Sequence, residues 1–272
     1  MYRVARTIYM KLSAIVLAKN EEENIERCLK SLGFCDEIIV VDDYSTDNTL
    51  EKIQISKSKF QIKSKIQIFQ RKLDNDFAEQ RNFGLSKANN EWVLFVDADE
   101  EVNEELKKEI NGLDSRLRGN DKNIYDSYYI KRRDFFWNKE LKYGEVRQIR
   151  QIGLIRLVCK NSGKWMGSVH EVFHTANKVG QLNGFLNHYP HPTLKEFIND
   201  VNYYSSIRAE ELFNRGTKTN VFEIVFFPFG KFIYNYFLNL GFLDGPTGFT
   251  YAFMMSFHSF LVRAKLYQLI NK

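Results

Sequence analysis

At 272 residues, 44% of them apolar and 27% charged, the chain has the composition of a folded globular protein with room for one or two domains. Its three cysteines (Cys28, Cys35, Cys159) lack any paired metal-ligand spacing and are too few for a disulfide scaffold, which points to a reducing compartment. The net charge of +5, set beside dense aromatic residues after Phe222, suits an anionic membrane face; with no zinc-finger cysteine framework, a nucleic-acid partner is disfavoured.

The N-terminal stretch MYRVARTIYMKLSAIVLAKN has a basic flank but no small-residue cleavage pattern, so its apolar run Leu12–Ala18 reads as a first strand and not as a signal peptide. Ile25, Cys28, Leu29 and Leu32 recur at helical spacing, and Gly33 offers a stop. A second strand, Glu37–Val41, ends in Asp42-Asp43, after which Ser45 or Thr46 is expected to cap a helix carrying Leu50 and Ile53. Ile66–Phe69 reads as a third strand, and a helix follows from Phe77 through Arg81 to Ala88. Trp92–Val96 is a fourth, fully buried strand ending in Asp97, Ala98 and Asp99, with Glu100 and Glu101 opening the helix of Leu106 and Ile110. This strand–helix alternation predicts an α/β fold with a mostly parallel sheet covered by helices on both faces.

Asp97 and Asp99 stand where open α/β sheets bind ligands, and two carboxylates one residue apart form a hard oxygen site for Mg²⁺ or Mn²⁺ on nucleotide phosphates. Two acids at a helix start also serve as simple capping charges. The ligand reading gains from convergence, because strands one, two and four all end in polar or acidic residues expected at one sheet edge.

Asp114–Lys122 reads as a solvent loop, Tyr125–Lys131 and Ile152–Cys159 as strands, the latter with Arg156 among apolar neighbours, and Gly163–Val169 as a turn. Phe135-Phe136-Trp137 is an aromatic cluster fit for a pocket floor or a core. A long helix runs from Leu194 towards Gly216. Val221–Leu243 has the length of a span, but Glu223, Pro228, Gly230 and Lys231 interrupt it. The interruptions favour helices lying at an interface or against the catalytic domain, with Lys218, Lys231, Arg263 and Lys265 meeting anionic lipid. His170-Glu171-Val172-Phe173-His174 matches HExxH, but the zinc-protease chemistry needs a helix there, and the turn before it and Thr175 after it do not promise one.

The segments SAIVLAKNEEENIERCLKSL, DEIIVVDDYSTDNT, QRNFGLSKANNEWVLFVDADE, VHE at 169–171 and GFLDGPTG at 241–248 together resemble the inverting, nucleotide-sugar-dependent glycosyltransferases of family 2. Within that family the chain is similar to the lipopolysaccharide core biosynthesis branch, whose members are often named β-1,4-glucosyltransferases. The resemblance implies a GT-A fold, with a catalytic domain over 1–192 (donor half 11–111, inserted loop 114–122, acceptor half 124–192) and a helical region over 193–272. It implies that Asp43, with Asp42 beside it, contacts the nucleotide base or ribose, and that Lys19, Asn20 and Glu22 line the same pocket. Arg81 would hold the diphosphate, Asp99 would ligate the metal directly, and Asp97 would lie nearer the ribose and the metal-bound water. Glu171 is the expected base, His170 its orienting neighbour, and Asp244 a second candidate for the base or a shaper of the acceptor site. Also implied are a UDP-glucose-like donor, Mg²⁺ or Mn²⁺, a saccharide or lipid-linked acceptor, and a peripheral place on the cytoplasmic face of the inner membrane.

Two other classes compete. A sugar nucleotidyltransferase usually carries a glycine-rich, basic phosphate loop after strand one, which LAKNEEEN is not. A non-catalytic nucleotide-sugar binder would keep Asp43 without needing both acids of the DxD and Glu171.

Overall fold

The structure is a computed structural model that describes residues 10–59, 64–117, 125–167 and 171–272. Contacts group the chain into two compact units: one takes the chain as far as Arg132 and again Ile152–Asn187, the other Arg133–Gln151 and His188–Lys272. Residues 133–151, assigned from the sequence to the acceptor half of a domain ending at 192, therefore group with the C-terminal helices.

The first unit begins with β1 (Leu12–Ala18), α1 (Ile25–Ser31), β2 (Glu37–Asp42), α2 (Thr49–Lys59), β3 (Lys65–Gln70), α3 (Phe77–Lys87) and β4 (Trp92–Asp97). Strands β3, β2, β1 and β4 lie side by side in that order, all parallel. Both faces of β1 are buried: Ala14 and Val16 join Ile25 and Leu29 of α1, whereas Ile15 joins Ala78 and Leu85 of α3. Such two-sided burial is why β1, β2 and β4 read as unbroken apolar runs, whereas the edge strand β3 (KIQIFQ) alternates. The register sets Ala18 beside Asp42 and Leu17 beside Asp97, so the acids of β2 and β4 flank the end of β1.

Beyond β4 the pattern changes. Glu100–Val102 forms a short strand, β5, where the sequence suggested a helix start, and helix α4 begins only at Glu104 and runs to Leu117. Asn103 caps it by accepting the Leu106 N–H at 2.8 Å. The first part of the expected 114–122 loop is thus helical, and 118–122 lie outside the described residues. Then come β6 (Ser127–Phe136), β7 (Lys139–Leu141), a 3-10 turn (Gly144–Val146), α5 (Arg147–Gln151), β8 (Leu154–Cys159), β9 (Gly163–Met166), β10 (Val172–Thr175) and β11 (Val179–His188). β8 pairs antiparallel with both β4 and β6, and the sheet continues through β11 to β5. The sheet is therefore mixed, with β3, β2, β1 and β4 as its parallel half. β9 and β10 form a separate hairpin where a turn was expected, and β11 gave no sequence signal that we read.

The second unit centres on Phe136, Leu141, Val146, Phe197, Val201 and Met254. Helix α6 (Leu194–Asn214) starts with a capping box between Thr193 and Glu196. It is followed by α7 (Val221–Ile233), a π-helical turn (Tyr234–Leu238), a 3-10 turn (Gly241–Asp244) and α8 (Gly245–Ile270). The expected lipid-facing cations are mostly engaged within this unit. Lys231 pairs with Glu145 at 2.7 Å, Arg263 lies 3.6 Å from Glu223, and Lys265 donates to Asn202, Ser205 and Ser206. Of the four, Lys218 stays exposed.

Candidate active site

The loops after β1 and β2 are cross-braced by their own side chains. Asn20 donates its N–H to Ser45 Oγ at 2.9 Å and accepts the Thr46 N–H at Oδ1 at 2.7 Å. Glu22 accepts from Asn48 Nδ2 at 2.8 Å, and its own N–H goes to Asp47 Oδ2 at 3.0 Å. Asn20 and Tyr44 are held at φ of 54° and 51°, a left-handed conformation that costs of order 1 kcal/mol or more and persists only where surroundings fix it. Asp42 is buried and accepts from Ser45 and from Gln70 Nε2, so it locks the turn. Asp43 faces outward, pairing with Lys19 at 3.0 Å and accepting the Leu73 N–H at 3.0 Å. Ser45 and Thr46, expected as helix caps, instead bind Asp42 and Asn20; Asp47 takes the Thr49 N–H at the start of α2.

A second group gathers around Arg81. Its Nε donates to Glu171 Oε1 at 2.8 Å, and its Nη2 lies 2.9 Å from Asp97 Oδ1. Arg156, on β8, reaches the other oxygen of Asp97 at 2.6 Å and Glu100 at 3.3 Å. The Glu100 carboxylate in turn accepts the Asp97 N–H at 3.0 Å. The Arg81 guanidinium also lies over the Trp165 ring, 5.0 Å from its centroid, and Trp165 packs on Phe95 and Phe173.

Burial alone would raise the Asp97 carboxyl, but the charges of Arg156 and Arg81 and their hydrogen bonds outweigh it and hold the group well below the ordinary carboxylate range. Burial would likewise discharge Arg156; Asp97 and Glu100 reverse that and keep it charged. Cys28, whose thiol lies 3.6 Å from the Asp97 carbonyl oxygen, is pushed up by burial and then by the nearby Glu100, Asp99 and Asp97 charges, so it stays a thiol. Arg81 Nη1, Arg156 Nε and Nη1, and Trp165 Nε1 are buried donors with no hydrogen-bond partner among the described residues.

The structure thus brings Arg81, Asp97 and Glu171 into one network, and Lys19, Asn20, Glu22, Asp42 and Asp43 into another. Asp97 appears as an ion-pair hub, with both oxygens taken by guanidinium groups, and not as an open metal ligand. Asp99 is half-buried in the turn after β4. Among the described residues no three His, Cys, Asp or Glu side chains form a cage for a metal ion. Asp244 belongs to the second unit, is buried, and spends its carboxylate on the N–H groups of Lys142 and Tyr143 at 3.0 and 2.9 Å; this is an anchor for a turn. His170 lies outside the described residues, and Val172–Thr175 is a strand, so the HExxH match lacks its helix. Arg156, Glu100 and Trp165 were not among the expected site residues. The available signal was Arg156 itself, since a charge in a buried apolar strand requires a partner.

The chain is similar to proteins named glycosyltransferases. A glycosyltransferase of Rickettsia typhi is 28% identical over 274 residues, covering 96% of this chain and 88% of the relative. The lipopolysaccharide core biosynthesis glycosyltransferase LpsC of Rhizobium meliloti is 29% identical over 263 residues, covering 95% of this chain and 93% of LpsC. Among solved structures, S. aureus TarS 1–349 in complex with UDP-GlcNAc aligns with a TM-score of 0.48 at 16% identity, over 96% of this chain and 92% of TarS 1–349. The family described as Glycosyl transferase family 2 matches residues 13–166, more than half of the sequence. With its parallel half-sheet, its acidic turn after β4 and this match, the chain belongs to glycosyl transferase family 2, a family of nucleotide-sugar transferases.

Proposed function

We propose that this glycosyltransferase moves a hexosyl group from a UDP-glucose-like donor to a saccharide or lipid-linked saccharide, with inversion, in lipopolysaccharide or other envelope glycan assembly. The observation that carries this reading is the bridge through Arg81, which ties Asp97 of the DxD to Glu171. One cation thereby fixes an acid at the donor end of the site and an acid suited to the acceptor.

Inversion requires the acceptor oxygen to attack the anomeric carbon from the face opposite the diphosphate. As that C–O bond forms, the bond from the anomeric carbon to the diphosphate oxygen breaks, and its electron pair leaves with the diphosphate. Glu171 takes the acceptor hydroxyl proton. Arg81 holds Oε1 of Glu171, which orients the carboxylate and leaves Oε2 for the proton. The unpartnered Nη1 of Arg81 gives it a donor for a diphosphate oxygen without releasing either acid. Lys19, Asn20 and Asp43 form the rim for base and ribose. Mg²⁺ or Mn²⁺ held by Asp99 would supply charge neutralisation on the leaving group. In this reading the donor site works on the cytoplasmic face of the inner membrane.

The test is nucleotide release by purified protein across a set of nucleotide-sugars, with and without Mn²⁺. Metal-dependent release that depends on an added saccharide acceptor, and that is nearly abolished in a well-folded Asp99→Asn protein, is expected. Full activity of that variant in metal-limited buffer would remove Asp99 from the role.

A further inference from the structure

Helix α7 has two unlike sides. Glu223, Pro228, Lys231 and, one turn on, Asn235 form a stripe in contact with the rest of the second unit, with the exposed Phe227 at its edge. Lys231 and Asn235 both bind Glu145 at 2.7 Å, Ser256 of α8 donates to the Pro228 carbonyl at 2.6 Å, and Arg263 of α8 lies 4.3 Å from the Phe227 ring centroid. The other side consists of Val221, Phe222, Val225, Phe226 and Phe229. Phe222 is 75% exposed, and Phe226 and Phe229 are each 62% exposed. Exposed Phe237 and Leu238 prolong this side beyond α7. Only 6% of Val221–Leu238 is buried within the chain, although the stretch has the length and apolarity of a span.

Two properties identify what covers this face. None of its five side chains carries a hydrogen-bond donor or acceptor, whereas protein interfaces average about one hydrogen bond per 100–200 Å². A hydrocarbon phase asks for none. Of the four cations near the face, Lys231 and Arg263 are matched by Glu145 and Glu223 and Lys265 is spent within the unit, so Lys218 is the exposed one that borders it. On the opposite side, contacts with Glu145, Ser256 and Arg263 tie the helix to the second unit.

We propose that the Val221, Phe222, Val225, Phe226 and Phe229 face of α7 is a one-sided membrane-insertion face, which enters the acyl-chain region of one leaflet by apolar burial and without need of anionic headgroups. This replaces the expectation of lysines and arginines gripping anionic lipid. It is independent of the transfer chemistry, so nucleotide-sugar binding measured in the same samples separates failure of the one from failure of the other.

The experiment floats the full chain with vesicles of phosphatidylcholine alone and of phosphatidylcholine with phosphatidylserine, at low and high salt. Equal flotation on both vesicles, unaffected by salt, is expected. Phe226→Ser with Phe229→Ser should bind roughly a hundredfold more weakly while keeping its circular dichroism and nucleotide-sugar affinity, since two buried rings are lost. A Phe229→Trp protein should show blue-shifted emission on vesicles and quenching by brominated acyl chains. Binding only to phosphatidylserine vesicles and lost in salt would overturn the proposal in favour of headgroup charge. No flotation at all would also overturn it, as would labelling of residues flanking α7 from both sides of the vesicle, which indicates a span. So would a dimer that the double Phe variant dissociates, which would make a second copy the occupant.

Discussion

Glu171 and Arg156 do different things to the same acid cluster, and substitutions separate them. Glu171→Gln keeps an oxygen to accept from Arg81 Nε but cannot take a proton. We expect turnover to fall by roughly 10²- to 10⁴-fold, the usual worth of a positioned base, with nucleotide-sugar affinity unchanged by calorimetry. Wild-type turnover in this variant would send the base role elsewhere. Arg156→Met strips a partner from both Asp97 and Glu100, and Glu100 is fully buried. Asp97 keeps Arg81, and Glu100 keeps the Asp97 N–H and Arg132 at 3.8 Å, so urea unfolding should show a loss smaller than the roughly 3–5 kcal/mol of a fully broken buried pair. The pH dependence has a definite sign. Because the Asp97 carboxyl is held below its unfolded value of about 3.9, the stability it contributes is present above that pH and is lost as pH falls towards its folded value. Removing Arg156 weakens that hold, so the acid-induced loss should begin at higher pH in the variant, measurable by chemical denaturation at stepped pH.

At the scale of elements, α3 can reach the site because Gly84 lets it lie close on the sheet. A Cβ there would sit 2.6 Å from the Ile15 Cγ2 methyl and 3.3 Å from Val41 Cγ2. Alanine would gain about 1 kcal/mol of helix propensity, but overpacking a filled core costs about 1–3 kcal/mol. Ile15 is fully buried and has little room to yield, so Gly84→Ala should be net destabilising. Because Arg81 is one turn earlier on the same helix, turnover should also fall; a more stable, fully active variant would contradict the close-approach argument. β10 supplies the other element-scale expectation. Purified protein should contain no stoichiometric zinc, and elemental analysis finding one zinc per chain that His174→Ala releases would restore the HExxH reading. Legibility in the sequence followed the same physics. β1, β2 and β4 were readable almost to the residue, because strands buried on both faces are written as short apolar runs between polar loops. β5 was misread because its two glutamates look like a helix start, and what makes them a strand is the distant partner β11. The hairpin β9–β10 was missed because four-residue strands leave too short a pattern. Asp97 was readable as a site residue, but its two arginines come from α3 and β8, and no local spacing reports that meeting.

Across the whole molecule, the chain passes from the first unit to the second after Arg132, returns at Ile152, and leaves again after Asn187. The C-terminal helices are therefore not a tail that can be trimmed at residue 192. Such a shortened chain would keep Phe136, Leu141 and Val146 while losing Phe197, Val201 and Met254, which complete their core. The sheet order has a related effect in time. β5, which carries Glu100, has β11 as its sheet neighbour, and Asn103 donates its N–H to the Phe185 carbonyl at 3.2 Å. As the polypeptide emerges from the ribosome, β1 to β4 can assemble early. The acidic turn that follows them waits, half built, until synthesis has passed His188, and a pause or truncation before that point would yield a folded parallel half with an unfinished site.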